Sequence, residues 1–150
     1  MLFSFILLSF FAVTSCDSDP AAPDGSVTMK IDGASWSADV LPNAVYDDVL
    51  LNLSIHGVRE SDQTSLVIDA TNVTGPGTWT LTEGGDGVFF RKFIEEEKYE
   101  TNAVFTGQLI VTTMNSTRVK GTFFFDAMLE VDSSRVIQVR DGKFDVGYFN

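Results

Sequence analysis

Val119-Lys120-Gly121-Thr122-Phe123-Phe124-Phe125-Asp126-Ala127-Met128-Leu129-Glu130-Val131 repeats with period two along its whole length. Val119, Gly121, Phe123, Phe125, Ala127, Leu129 and Val131 share one face. Lys120, Thr122, Asp126 and Glu130 mark the other. Such alternation is the pattern of a strand with one buried face. The segment before it behaves alike: Ala103, Phe105, Gly107, Leu109 and Val111 share a face, and Met114-Asn115-Ser116-Thr117 links the two as a hairpin loop. Gly107 and Gly121 inside these strands imply a bulge, a bend or a close backbone approach. After a turn at Asp132-Ser133-Ser134 the last strand changes phase. Ile137 and Val139 stand at odd positions, Phe144 and Val146 at even ones. A one-residue bulge near Asp141-Gly142 would restore a single buried face. A turn splitting two strands is the competing account, and the bulge is favoured.

The upstream sequence extends the pattern. Ser26–Ile31 and Ala34–Asp39 flank Asp32-Gly33, a pair suited to the type I′ hairpin turn with its two positive-φ residues. Leu41-Pro42-Asn43 is expected to end that hairpin. Val49, Leu51, Leu53 and Ile55 then alternate with Leu50, Asn52, Ser54 and His56, and Leu66, Ile68 and Ala70 alternate with Val67, Asp69 and Thr71. Gly75-Pro76-Gly77 reads as a turn, with Trp79 and Leu81 inward beyond it. Glu83-Gly84-Gly85-Asp86-Gly87 reads as another turn, followed by a strand over Val88–Ile94 that is apolar on both faces. Glu95-Glu96-Glu97-Lys98 reads as a charged connection, long enough for one helical turn but too short to stand as a helix. About nine short-linked strands and no amphipathic helix give an all-β antiparallel sandwich or flattened barrel. The choice between the two stays open in the sequence.

The N-terminus has another character. Residues 1–15 carry no charged side chain, and the run from Met1 to Ala12 is interrupted only by Ser4 and Ser9. It is short of the roughly 20 apolar residues of a membrane-spanning helix and matches the apolar core of a secretory signal. Val13-Thr14-Ser15-Cys16 follows as branched, small or β-branched, small, then Cys. That order resembles the lipobox at which bacterial lipoproteins are acylated and cleaved. It implies a signal peptide over 1–15, a lipidated N-terminus and flexible spacer over 16–25, and an all-β domain over 26–150. A basic residue near Met1 is the one missing element, supplied by an upstream start or replaced by the N-terminal amine. An ordinary signal leaving a free cysteine, and an uncleaved buried strand, are the alternatives. Two or three acyl chains on Cys16 would hold the protein permanently, since each buried methylene contributes about 0.8 kcal/mol.

All 21 acidic and 10 basic residues lie from Cys16 onward, so the net charge of −11 belongs to that part of the chain. This argues against nucleic acid, which needs clustered Lys and Arg, and against a basic patch resting on anionic lipid. Cys16 is the only cysteine. The domain therefore has no disulfide and must rest on its core, to which nine Phe, two Trp and three Tyr are available. Asn52-Leu53-Ser54, Asn72-Val73-Thr74 and Asn115-Ser116-Thr117 match the glycosylation pattern, but in a bacterial host they are accidental.

No catalytic motif is present. His56 is the only histidine, and a lone imidazole without a Cys or Ser partner is weak ground for catalysis. Asp47-Asp48, Glu83 with Asp86, and Glu95-Glu96-Glu97 lack the converging spacing that six to eight calcium ligands require. No metal or cofactor is expected. The sharper feature is apolar residues in outward phase: Phe124 and Met128 on the long strand, with Ile110, Val67 and Leu50 on others. If these strands are neighbours they form an exposed apolar patch of the kind that marks a binding surface. A covering layer, or long Lys and Arg stems, is the alternative.

Asp32-Gly33-Ala34-Ser35-Trp36-Ser37-Ala38, Gly77-Thr78-Trp79-Thr80-Leu81, Gly107-Gln108-Leu109-Ile110-Val111, Val119-Lys120-Gly121-Thr122-Phe123-Phe124-Phe125 and Asp141-Gly142-Lys143-Phe144-Asp145-Val146 occur in that order behind the lipobox. Together they resemble a family of small uncharacterised lipoproteins of Bacteroidetes-type bacteria, DUF6252-like, over most of residues 26–148. The resemblance implies an all-β lipoprotein domain in the cell envelope and transfers no activity. Asp17-Ser18-Asp19 is loosely similar to acidic surface-export signals of such bacteria, although an Asp after the cysteine marks inner-membrane retention in others. The expectation is an envelope-anchored, non-enzymatic binding or interaction module for protein or glycan, at the outer membrane and exposed at the cell surface. Phe124, Met128 and Ile110 are its candidate contacts. A structural envelope protein without a small ligand is the alternative, and a hydrolase with dispersed carboxylates a weaker one. Cys16→Ala is expected to abolish acylation, read by incorporation of a labelled fatty acid; a variant that stays acylated contradicts the lipobox reading.

Overall fold

The computed structural model of the chain describes residues 25–82, 87–94 and 96–149. The apolar run, Cys16, the spacer before Gly25, the turn over 83–86 and Glu95 lie outside the described residues. Among the described residues there are eleven strands: β1 (Ser26–Ile31), β2 (Ala34–Ser37), β3 (Val40–Asp47), β4 (Asn52–Arg59), β5 (Thr64–Ala70), β6 (Gly77–Leu81), β7 (Gly87–Lys92), β8 (Glu97–Glu100), β9 (Gly107–Met114), β10 (Arg118–Leu129) and β11 (Asp132–Gly147). A 3₁₀ turn, Glu60–Asp62, joins β4 to β5. Among the described residues no helix is long and apolar enough to cross a membrane.

The fold turns on how β10 shares its edges. One edge pairs with β11 along the whole strand. The other is divided: Val119–Phe125 pair with β9, while Met128 and Leu129 pair with β8. The sheet therefore splits into two layers, β2-β1-β11-β10-β9-β6 and β8-β7-β5-β4-β3, joined at the end of β10. A parallel bridge between Ala44 and Tyr148 narrows the far side without closing a barrel. The result is sandwich-like, which resolves the choice that the sequence left open.

The core fills the space between the layers with the residues the alternation placed inward: Leu53, Ile55, Leu66 and Ile68 from one layer, and Val27, Leu109, Phe123, Phe125, Val139 and Val146 from the other. Trp36 crosses from β2 to the opposite layer. Its ring meets Phe90 edge-on at 6.3 Å and covers Gly57, where a Cβ would stand 3.2 Å from the indole.

Asp32 and Gly33 have φ of 50° and 85°, as the hairpin turn requires. β11 is one strand, and its bulge lies where the phase change put it. Phe123 pairs with Gly142 and Phe125 with Val139, so Phe124 alone faces Arg140 and Asp141. Asp141 takes a positive φ of 54° there. Around the bulge two glycines are covered by phenylalanines in crossed fashion. Phe123 lies over its partner Gly142, and Phe144 over its partner Gly121. The Phe123 ring packs on both Phe125 and Phe144, with centroids 6.3 and 6.5 Å away.

Several expectations are corrected. Leu41-Pro42-Asn43 does not end a hairpin: β3 runs through it with a register shift between Val40 and Asn43. β3 is the last strand of its layer, where proline is tolerated. Glu97–Glu100 is a strand rather than part of a connection, with Tyr99 inward and buried. Its charges are met by Arg135–Glu97 and by Lys98 with Glu100 and Glu130. These two strands raise the count from about nine to eleven. Val49 and Val131 continue the inward phase yet lie in turns and are 84% and 85% exposed. Ala103 and Phe105 precede β9 instead of belonging to it. Trp79 is half-buried, its ring folded over Gly77 of its own strand.

A Cβ at Gly142 would stand 2.5 Å from two Phe123 ring carbons, whereas one at Gly147 meets nothing closer than 3.6 Å. Overpacking of this kind costs about 1–3 kcal/mol. Gly142→Ala is expected to lower the urea midpoint accordingly, and Gly147→Ala to leave it within about 0.5 kcal/mol equivalent, the usual range away from such contacts.

Candidate functional site

The outer face of the six-stranded layer is ordered by register. One row runs Thr78, Ile110, Thr122, Lys143, Thr28, Ser37 across β6, β9, β10, β11, β1 and β2. The next runs Thr80, Gln108, Phe124, the Arg140-Asp141 bulge, Lys30 and Ser35. Phe124 is 41% exposed, and Ile110 stands diagonally beside it, half-buried. Met128 is half-buried and turned toward Glu100 and Asn102, four residues from Phe124 and so roughly 13 Å along the strand. Val67 lies on β5 in the other layer, and Leu50 in the turn after β3. The expected patch therefore shrinks to Phe124 and Ile110. His56 is half-buried on β4 between Asn43 and Val67. Among the described residues no group of three or more His, Cys, Asp and Glu is placed to hold a metal.

At the β2 side this face opens into a cleft of about 630 Å³ lined by Thr28, Met29, Lys30, Ser35, Trp36, Ser37, Arg59, Asp141 and Lys143. A second cleft of about 380 Å³ shares Ser35, Trp36 and Arg59, and adds Asp62, Thr64, Phe90, Lys92 and Ile94. Trp36 and Arg59 form the partition between them. The Trp36 indole N–H donates to Thr64 Oγ1 at 2.8 Å, and the Thr64 hydroxyl donates to Asp62 Oδ1 at 2.7 Å. Asp62 in turn accepts from Arg59, whose guanidinium lies 5.6 Å over the indole. The ring of contacts closes on itself and fixes Arg59 in one place. Its Nε remains buried without a hydrogen-bond acceptor among the described residues.

The electrostatics follow from these pairs. The Arg59 hydrogen bond holds the Asp62 carboxyl below its usual range, against the opposing effect of burial. The bond from Lys30, 2.7 Å long, does the same for Asp141 and raises Lys30. Both carboxylates are thus committed to ion pairs. Lys143 has no ion pair or hydrogen bond among the described residues. Around the larger cleft stand three cations, one carboxylate and the hydroxyls of Thr28, Ser35 and Ser37. In a chain of net charge −11, this lining offers donors and positive charge to an anionic or hydroxyl-rich ligand.

A third cleft, about 550 Å³, lies at the opposite end and is lined by Tyr46, Asp48, Thr74, Gly75, Met114, Asn115, Ser116, Tyr148 and Phe149. Tyr46 donates to Val73 O at 2.7 Å. Burial pushes the Tyr148 phenol up.

Sequence reasoning reached Phe124 and Ile110 through their phase, but it missed Arg59, Lys30 and Lys143. These come from β4, β1 and β11 and meet only through strand pairing. The one sequence signal was indirect: Lys30 and Lys143 are basic residues in outward phase beside hydroxyls.

The family model described as a domain of unknown function, DUF6252, matches residues 24–146. No curated protein and no solved structure matches the chain.

Asp62 has a depressed pKa in the folded state. Its contribution to stability is therefore present above the unfolded carboxyl value of about 3.9 and fades as pH falls through the folded value. Asp62→Asn is expected to lower the melting temperature at pH 7, with the gap to the unaltered protein narrowing as pH falls below about 4.

Proposed function

The chain belongs to the DUF6252 family, and we propose that it is an envelope-anchored lipoprotein acting as a non-enzymatic binding module for a protein or glycan ligand that carries anionic groups. The observation that carries this reading is the cleft around Arg59. Lys30, Arg59 and Lys143 converge there with three hydroxyl side chains, in a chain whose overall charge would repel an anion. One donor, the Arg59 Nε–H, is already stripped of water and unpaired among the described residues.

The non-enzymatic part rests on the carboxylates. Each of the three clefts is lined by a single one: Asp141, Asp62 or Asp48. The first two are held by Lys30 and Arg59. Glycoside hydrolysis by the usual route needs two carboxyls set about 5–10 Å apart across one bond, with at least one free to exchange a proton. A recognition surface needs only fixed donors, charge and an apolar contact. Phe124 supplies that contact one row away from Lys143.

The cleft also suits a tethered protein. β1 begins beside Asp145 and runs to Ile31 beside Val139. Six residues, roughly 20 Å of strand, therefore separate the point where the chain enters the domain from the hairpin that borders the smaller cleft. With Cys16 acylated, the two clefts that share Arg59 face away from the membrane. Outer-membrane attachment with exposure at the cell surface is the localisation proposed.

Titration with oligogalacturonate, followed by calorimetry, tests the reading. Binding is expected to weaken as salt rises, to fall at least fivefold in Lys143→Glu, and to fall also in Phe124→Ala, both variants keeping the melting temperature. Binding unchanged in Lys143→Glu would sink the cleft as the ligand site.

A further inference from the structure

We infer that the end of the domain opposite the Arg59 cleft seats in the interfacial layer of the bilayer, with Val49, Leu50 and Phe149 as the inserted contacts. The inference rests on the proposed acylation of Cys16 and adds a second, direct contact between protein and lipid.

The directions of three strands place these residues together. β1 leaves Gly25 beside Asp145 and runs back along β11, so the preceding residues enter from the C-terminal end of β11. Tyr148 bridges Ala44 in parallel, and the Phe149 N–H donates to Ala44 O at 2.8 Å. β3 therefore advances in the same direction as the end of β11. It continues from Pro42, which stands beside Gly25, to Asp47. Five further residues carry the turn after β3 roughly 16 Å past Gly25, toward the side from which the chain enters.

That turn is built rigidly around two exposed apolar residues. Asp47 Oδ1 accepts the N–H groups of Val49 and Leu50 at 2.9 and 2.8 Å. Leu51 takes a positive φ of 55°, and its carbonyl accepts the Val73 N–H at 2.8 Å. Val49 is left 84% exposed, Leu50 63% and Phe149 72%. Phe149 lines the third cleft together with Tyr46, Tyr148 and Asp48, the residue before Val49. Tyr46 and Tyr148 pack against the core beneath, with the Tyr46 hydroxyl bonded to Val73 O and the Tyr148 hydroxyl buried, so the exposed apolar tips stand on a fixed base, as side chains that enter an apolar layer must.

The occupant follows from reach and charge. Eight residues lie between Cys16 and Gly25, so the two are at most about 30 Å apart. A tether of that reach holds this end of the domain within about 30 Å of the lipid, near enough for its apolar tips to insert. Asp47 and Asp48 stand at the same turn, so the layer met is zwitterionic rather than strongly anionic.

The test uses the acylated full chain in phosphatidylethanolamine–phosphatidylcholine vesicles. Acylation blocks Cys16, so Leu50→Cys, Phe149→Cys and the distal control Ala34→Cys each carry one thiol for an environment-sensitive fluorophore. Brominated lipid is expected to quench the Leu50 and Phe149 probes by at least half and to leave the Ala34 probe unchanged. Co-flotation with unquenched tip probes would overturn the seating while leaving the tether intact. A blue shift at Leu50 without bromine quenching, pointing to a second copy of the chain, would overturn it equally. Failure to float with the vesicles would overturn the tether and the seating together.

Discussion

Two crossed glycine–phenylalanine pairs between β10 and β11 decide what the rest of the molecule can be. Phe123 covers Gly142 and Phe144 covers Gly121. Each ring fills the space that its partner's missing side chain leaves. Only one register satisfies both pairs, and a slip of one residue would turn the inward phenylalanines out. The bulge at Arg140-Asp141 is what lets that register persist on both sides of the phase change. It also sends two consecutive side chains outward. One of them, Asp141, meets Lys30, and the other, Arg140, meets Asp126. The device that closes the core thus also sets the charges along the outer face, where the larger cleft begins.

The long strands were legible because their alternation is long. Residues 119–129, 53–58 and 66–70 repeat the inward phase often enough to outweigh any local ambiguity, and the change of phase after Val139 located the bulge. The failures share a cause. Periodicity carries no information about where a strand stops, so Val49 and Val131 read as inward although the backbone has already turned. Local chemistry misled twice. Pro42 reads as a terminator but sits in a terminal strand with a register shift beside it. Glu97-Lys98-Tyr99-Glu100 reads as solvated, yet cross-strand ion pairs satisfy its charges while Tyr99 packs inward. Of the site, the outward apolar residues were legible. The cleft was not, because Lys30, Arg59 and Lys143 are far apart in sequence and meet through pairing and through the Trp36-Thr64-Asp62 chain that fixes Arg59.

The two ends of the domain then differ in kind. One carries committed ion pairs, an unpaired buried donor and a lysine with no hydrogen bond or ion pair among the described residues. The other carries exposed Val49, Leu50 and Phe149 beside two tyrosines. A strongly acidic domain has no general reason to collect cations at one end and apolar tips at the other. The proposed tether would supply one: the lipid side would gain from apolar contact, and the free side is where an anionic ligand would arrive. The strand directions connect the two, since β1 starts near the apolar end and finishes near the Arg59 cleft.

Hydrogen–deuterium exchange on the acylated chain in nanodiscs, with and without oligogalacturonate, reads both ends at once. The account predicts that the bilayer slows exchange at residues 48–51 and 148–149, and that the ligand slows it at residues 28–37 and 59–64. Bilayer protection appearing at residues 28–37 instead, or ligand protection confined to the third cleft, would contradict it.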